Sequence, residues 1–511
     1  MQIDVVRNGK KNLLAGFVNR VIVLLCPFIE RTIINNILGA QYLGLGSLFS
    51  SILSVLSITE LGFSSAVVYH MYKPAAEGNV DKINALLAFY RKAYRIIGFT
   101  IFGIGIAVIP FLRSLINGSY PEGINLAALY LIYLFNSCIS YFMFSYLGSI
   151  LVVYQRDDIN STINTVIRVL FVGCQILVLV LTKNYYYFAL LMPVFTVIRN
   201  LWMAWRVHEL YPRYHAEGDL SPKDRADIKR VVMGTFVQKA CGVTRNSLDS
   251  ICISAFLGLT LTAIYNNYLT IFTGLISFIG IISSAFMGGV GNHVATRSVS
   301  ENYEEMKKLD FVYLWIGGWC TICLLCLYQP FMQLWMGEDL MLPFPAVCLL
   351  CVYFYLLKLG DIRSMYSSAN GLWWEQRYRA IGETVLNLVL NITLGRIFGV
   401  YGIIAATIIS LFLCNYLWSV GITFRLYFSI RRRRDYYLYQ GKQSILVMIA
   451  CFITYGICEM MPINSVLIQL LYRAVICLLV PNILFYTVYR KSEMFLYARK
   501  KLFGDHGDHY E

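Results

Sequence analysis

The chain has 511 residues, of which 58% are hydrophobic and only 14% charged, and its mean hydropathy is +0.60. Soluble domains carry about 25% charged residues, so this composition cannot make a water-facing surface. With 15% aromatics and only 12 Pro, a disordered or collagen-like chain is excluded too. The net charge of +14 would suit nucleic acid, but most Lys and Arg lie in short loops between apolar runs, which points to a membrane and to no nucleic-acid partner.

Apolar runs of about twenty residues recur along the whole sequence, each long enough to cross a ~30 Å hydrocarbon core as a helix. The alternating ten-residue segments of a β-barrel do not occur. In chain order, spans are predicted at 13–35, 43–69, 84–112, 125–151, 161–182, 185–206, 229–257, 262–290, 309–335, 344–370, 380–398, 401–424, 444–461 and 466–489. The fold class is therefore an all-α polytopic membrane protein with about 14 transmembrane helices. The first run contains Arg20, Glu30 and Arg31 and no small-residue cleavage site follows it, so it reads as an uncleaved helix rather than a signal peptide.

Loop charges set the expected orientation. With the N-terminus inside, about 28 of the 43 Lys and Arg fall in cytoplasmic segments, including Arg431 to Arg434, and only Arg113, Lys183 and Arg396 fall outside. Both termini are then cytoplasmic. The longest outer loop, Arg113 to Ile124, is about a dozen residues, too short for the outer domain on which lipid-dependent glycosyltransferases and polymerases build their chemistry. No Walker A, Gly-rich dinucleotide or HExxH motif occurs, so no enzyme, cofactor or metal is expected. Cys320, Cys323 and Cys326 have metal-like spacing, but they sit in an apolar run without His and read as packing. The tail Asp505-His506-Gly507-Asp508-His509 reads as solvated.

A shift of 219 residues aligns the chain with itself. Asn19 meets Gln238, Arg20 meets Lys239, Glu30 meets Asp249, and Leu38-Gly39 meets Leu257-Gly258. Ser64-Ser65-Ala66 meets Ser283-Ser284-Ala285, and Thr165-Val166 meets Thr384-Val385. Charged pairs inside apolar runs are rare enough to make this a duplication. The expected organisation is an N-lobe of six helices at 1–206, a cytoplasmic linker at 207–228, and a pseudo-symmetric C-lobe of six at 229–424. A polybasic loop with two appended helices at 425–489 and a cytoplasmic tail at 490–511 follow. Two six-helix lobes meeting at a cleft make the architecture of a secondary transporter.

Twelve Lys and Arg are embedded in the runs against six acids, and each costs about 2.5–3.5 kcal/mol at a helix centre. Those that cannot reach a membrane surface must face a wet cavity or a partner. The basic candidates are Arg20, Arg31, Arg168, Lys239, Arg245 and Arg363. Polar companions are Asn19, Asn164, Gln175, Gln238, Asn387 and Asn391. Glu30, Asp249, Asp361 and Glu383 are the candidate charge-balancing or coupling acids, with H+ or Na+ as the ion. Asn164, Arg168 and Gln175 share a helix face, as do Gln238, Arg245 and Asp249, and as do Glu383, Asn387 and Asn391. Each stripe fits a cavity wall, and each also fits interhelical hydrogen bonding. The basic surplus favours an anionic ligand, with Arg20 and Lys239 reaching the cleft from opposite lobes. The serine stripe Ser47, Ser50, Ser51, Ser54 and Ser57 reads as close helix packing, and Arg431 to Arg434 as an anchor to the membrane surface or to anionic lipid headgroups.

Several stretches resemble one family: Arg31-Thr32-Ile33-Ile34, Tyr42-Leu43-Gly44-Leu45, Glu60-Leu61-Gly62-Phe63, Tyr72-Lys73-Pro74, Phe256-Leu257-Gly258, Tyr265-Asn266-Asn267-Tyr268 and Phe398-Gly399-Val400-Tyr401-Gly402. They are similar to bacterial O-antigen and capsule exporters, the polysaccharide transport branch of the multidrug/oligosaccharidyl-lipid/polysaccharide (MOP) exporter superfamily. The resemblance implies a bacterial plasma-membrane flippase for undecaprenyl-diphosphate-linked oligosaccharide, with helices 13 and 14 outside two six-helix lobes. It also implies membrane lipids and the polymerase and glycosyltransferases of one pathway as partners. Arg suits a diphosphate because it binds phosphate bidentately. Export of a drug or other small molecule by the same superfamily, and a membrane enzyme of polysaccharide assembly, are the alternatives.

Overall fold

The computed structural model describes residues 5–503, apart from Leu61 and Pro462. The side chains of 5–7, 59, 234, 235, 238 and 500–503 also lie outside the described set, as does the tail motif at 505–509. Among the described residues the chain is helical, without a strand: α1 (Val5–Leu38), α2 (Ala40–Leu56), α3 (Phe63–Glu77), α4 (Val80–Val108), α5 (Leu126–Phe142), α6 (Gly148–Val153), α7 (Asp157–Thr182), α8 (Tyr185–Leu210) and α9 (Pro222–Leu257). Then follow α10 (Leu259–Thr296), α11 (Val299–Met336), α12 (Phe344–Leu359), α13 (Asp361–Ala369), α14 (Arg377–Ser410), α15 (Ser419–Thr423), α16 (Arg433–Glu459), α17 (Val466–Tyr489) and α18 (Glu493–Phe503).

Local chemistry starts these helices. Asn79, Asn125, Asn184 and Ser221 each accept a backbone N–H with their side chains at the first turn of α4, α5, α8 and α9. Ser298 and Glu301 form a reciprocal capping box on α11. Among the described residues, ten helices are long and apolar enough to cross a membrane, or eleven if Leu126–Phe142 and Ser145–Val153, bent by 51°, form one span. The segment Arg377–Phe428, 52 residues long, would reach about 78 Å as one helix, but it is interrupted at Gly399 (φ 59°, ψ −135°). A Cβ on Gly402 would collide with the Leu394 carbonyl, so the chain doubles back there as two spans. With the pair α2 and α3, and with charge-rich α9, the number is about fourteen.

Exposed apolar side chains mark the lipid face. On α17, Leu467, Leu471, Val475, Leu478 and Ile483 are each more than half exposed and recur at helical spacing. Such a stripe is costly in water and suited to hydrocarbon.

The duplication has a conformational counterpart. Gly39 (φ 98°, ψ 169°) separates α1 from α2, and Gly258 (φ 91°, ψ 174°) separates α9 from α10. Both occupy a region open in practice only to glycine, and they are the pair that the 219-residue shift aligns.

By packing, the chain divides into two compact units, Met1–Asn267 and Tyr268–Glu511. The division falls within α10 rather than at the linker 207–228, because α9 packs along α2 and α3 and so joins the first unit.

Candidate functional site

In the first unit, α1, α2, α5, α7 and α8 surround a cavity of about 810 Å3. α1 lies along α7, and α8 packs on both α5 and α7, so each helix turns one stripe inward. α1 contributes Asn19, Glu30 and Arg31, and α7 contributes Asn164, Arg168 and Gln175. From α8 come Thr196 and Arg199; α5 adds Tyr133, Asn136, Ser137 and Ser140. α2 supplies Ser47, Ser50, Ser51 and Ser54. That serine stripe therefore forms a wall of the cavity, which corrects the expectation of helix packing alone: hydroxyls facing an open space can meet water or ligand.

Three guanidiniums reach this space. Arg168 donates through Nη2 to Glu30 Oε2 at 2.9 Å and lies over the Phe171 ring at 5.5 Å. Arg31 donates from Nε to Asn267 Oδ1 at 2.5 Å and from Nη2 to the Ala263 carbonyl at 3.2 Å. Arg199 donates to the side-chain oxygen of its neighbour Asn200 at 3.2 Å. Three cations thus share the cavity with one carboxylate, and Arg199 has no acidic partner within ion-pair distance among the described residues. Each guanidinium offers five donors in a planar fork, a geometry that fits phosphate.

Neutral groups complete the wall. The hydroxyls of Tyr133 and Tyr185 are hydrogen-bonded at 2.8 Å, and Thr196 donates to Asn136 at 2.8 Å. Asn19 accepts from Thr165 at 3.2 Å, Asn164 donates to Asn160 at 3.3 Å, and Gln175 donates to the Phe188 carbonyl at 3.4 Å. A second cavity of about 410 Å3 shares Asn164, Ser137, Ser140 and Arg199 with the first. There Glu60 accepts from Tyr94 and Tyr141, both at 2.6 Å.

The other expected site residues are placed elsewhere. Arg20 is exposed on α1, outside the cavity lining. Lys239 is exposed on α9 and donates to Ser65 Oγ at 3.2 Å. Asp249 is fully buried and accepts from Tyr265 at 3.2 Å, with half-buried Arg245 one turn before it. The side chain of Gln238 lies outside the described residues.

In the second unit, Arg363, Asn387 and Asn391, expected at a cavity wall, are placed inside the helix packing. Arg363 is 1% exposed and its guanidinium donates to the carbonyls of Asn415 (2.9 Å) and Tyr416 (3.3 Å). Asn387 donates to Thr407 at 3.0 Å and accepts from Asn391 at 3.3 Å, and all three are fully buried. Glu383 takes Arg379 Nη1 at 2.7 Å. Asp361 pairs with Lys358 Nζ at 2.7 Å and accepts from the Tyr313 hydroxyl. The physical reason is supply: the neighbouring helices present at least one partner to each of these side chains, although Arg363 Nε is buried without an acceptor.

Arg199 is the cavity cation that sequence reasoning left out of the site, and neutral Asn136 and Thr196 were left out with it. It was visible as an embedded cation, and Thr196, Arg199 and Asn200 share one face of α8.

Comparison with protein-family models gives no match, and comparison with curated proteins gives no relative. Solved structures do match. The lipid II flippase MurJ, in an inward closed conformation, is similar with a TM-score of 0.70 and 15% identity, over 94% of this chain and 98% of that one. An inward-facing multidrug resistance MATE family transporter of the MOP superfamily follows at a TM-score of 0.62 and 15% identity, over 79% and 95%. A MOP superfamily transporter from Pyrococcus furiosus matches at 0.53 and 16%, over 81% and 95%. The likeness is one of fold. The chain is a multi-pass, all-helical membrane protein with the fold of MOP superfamily transporters.

Proposed function

We propose that this chain is a flippase that carries undecaprenyl-diphosphate-linked oligosaccharide repeat units from the cytoplasmic to the outer leaflet of a bacterial plasma membrane by alternating access. It would serve surface polysaccharide assembly, with both termini in the cytoplasm and the glycosyltransferases and polymerase of the pathway as its partners. The observation that carries the reading is the cavity with three guanidiniums against one carboxylate, walled by serine, asparagine and tyrosine. A diphosphate brings about two negative charges for the guanidiniums, and the hydroxyl and amide walls suit a sugar. A drug exporter for cationic substrates would want the opposite charge balance. The fold shared with a protein named as a lipid II flippase supports a lipid cargo. In this reading Arg31, Arg168 and Arg199 hold the diphosphate. Glu30 balances the empty site and is the candidate for H+ or Na+ coupling.

The test is reconstitution of the purified chain in vesicles with a fluorescent undecaprenyl-diphosphate sugar, scoring how fast the label becomes accessible to an impermeant quencher. The expected result is chain-dependent transfer that falls at least about tenfold in Arg168→Gln at equal folded protein, because hydrogen bonds to charged groups are worth roughly 1.5–3 kcal/mol. Folded protein that gives no transfer above empty vesicles overturns the proposal.

A further inference from the structure

The second unit contains a thiol cluster unrelated to the cavity. Cys326 on α11, Cys458 on α16 and Cys477 on α17 are all buried, and their three sulfurs lie within 4.8 Å of one another. Cys323, one turn before Cys326 on α11, neighbours Cys477 but lies outside the three-sulfur group. The run Cys320, Cys323, Cys326 supplies only one helix of this arrangement. The other two sulfurs arrive from positions more than 130 residues away, which is why spacing along the chain gave no sign of it.

Thiols this close are near ligand geometry. Sulfurs about 2.3 Å from a tetrahedral zinc stand roughly 3.8 Å apart, so the three need to close by at most about 1 Å, within reach of side-chain rotation. A buried cation adjoins the cluster. Arg473 of α17 is 6% exposed, donates from Nη1 to the Cys326 carbonyl at 3.3 Å and from Nη2 to Glu459 at 2.8 Å. Its Nε is buried without an acceptor.

A countercharge is at hand. Three thiolates on Zn2+ carry a net charge of −1, and two thiolates on Cu+ carry the same. The Arg473 guanidinium, which also pairs with Glu459, offsets part of that charge within an apolar shell of Ile322, Val447, Ala450 and Phe485. Sulfur-only donor sets select soft ions over Mg2+ or Ca2+.

We propose that Cys326, Cys458 and Cys477 form a binding site for a soft d10 metal ion, Zn2+ or Cu+. The site ties α16 and α17 to α11. Each sulfur that joins the metal gives up its proton to water, so uptake releases protons and weakens at low pH. The role is structural: the ion staples the last two long helices to the unit through one buried knot.

The experiment uses the full chain, purified in detergent with reductant and stripped by chelation. Zn2+ and Cu+ are titrated separately against chromophoric competitors, and metal per chain is counted after desalting. Alkylation followed by mass spectrometry then shows which cysteines the metal protects. One ion per chain is expected, with Cys326, Cys458 and Cys477 protected. Cys326→Ser and Cys477→Ser should each weaken binding about tenfold or more, whereas Cys138→Ser, in the first unit, should leave it unchanged. Failure to take up either ion, protection confined to other cysteines, or undiminished binding in both serine variants overturns the site. If a serine variant does not fold, the protection map of the parental chain decides alone.

Discussion

Two helices related by the internal repeat have the same polar pattern and opposite surroundings. Asn164 and Arg168 on α7 stand 219 residues before Glu383 and Asn387 on α14. The first pair lines an open cavity. The second is buried, with Glu383 held by Arg379 and Asn387 by Thr407 and Asn391. The cause lies across the groove from each helix. The tight turn at Gly399 and Gly402 folds the segment after α14's first half back on itself, which brings Thr407 opposite Asn387. Around α7, the neighbours α1, α2 and α8 present their own polar groups across a gap of about 810 Å3. A polar stripe in a membrane helix therefore announces a need for partners, and the facing helices decide whether protein or ligand meets it.

The contrast can be broken at its strongest point in the second unit. Glu383→Gln leaves the Arg379 guanidinium, whose side chain is 10% exposed, without its counter-charge. Removing one member of a buried pair costs about 3–5 kcal/mol. The expected outcome is a loss of folded, monodisperse protein and a clear drop in thermal stability, measured by size-exclusion after heating. Unchanged stability would mean that this region is as wet as the cavity.

In the first unit the effect should fall on ligand instead. Arg199→Gln removes a half-buried cation that has no acid to leave behind, so folded yield should stay close to parental. Affinity for a soluble diphosphate-sugar headgroup should fall about ten- to a hundredfold, read by calorimetry in detergent. Arg199→Lys should recover part of it, because the charge remains while the fork geometry is lost. Equal affinity in the Gln variant would remove Arg199 from the site.

The smallest effect belongs to the polar surface. Lys82, at the start of α4, pairs with Asp224 at the start of α9, and Ser221 also donates to Asp224 at 2.7 Å. These contacts, the Lys82 bond first, hold the Asp224 carboxyl below its ordinary value. A depressed folded-state pKa stabilises above the unfolded value, about pH 4, and that contribution is lost as pH falls through the folded value. Asp224→Asn should therefore lower stability slightly at neutral pH and flatten the acid limb below about pH 4, with no change between pH 6 and 8. A thermal melt at each pH checks this.

Much of the scaffold was legible because membranes enforce it. Runs of twenty apolar residues, the basic loops and the glycines at 39, 258 and 399 each follow from a local rule about hydrocarbon thickness, charge or backbone. The presence of embedded cations was legible for the same reason. Their facing was not. Arg31 and Arg363 look alike in sequence, yet one reaches a cavity and the other satisfies two carbonyls at the Asn415–Tyr416 turn. That turn opens where the helix widens to π geometry between Leu411 and Trp418, a feature no residue in the stretch advertises. The serine stripe on α2 failed to read as a wall for a related reason: small residues permit close packing, but whether a neighbour closes in depends on side chains contributed by α5 and α8.

If the proposed function holds, the Glu30–Arg168 pair sets a limit on how long cargo can stay. An anionic headgroup must displace a carboxylate already seated at 2.9 Å, and that carboxylate never diffuses away, so it returns as soon as the headgroup loosens. A carrier that releases its load about once a second, with association near 10^6 M−1 s−1, can hold it no tighter than roughly micromolar. A resident competitor would be a simple way to impose that ceiling: it would shorten the dwell time of an anionic headgroup without removing the charge that attracts it, and it would keep the vacated pocket from seizing a stray phosphate.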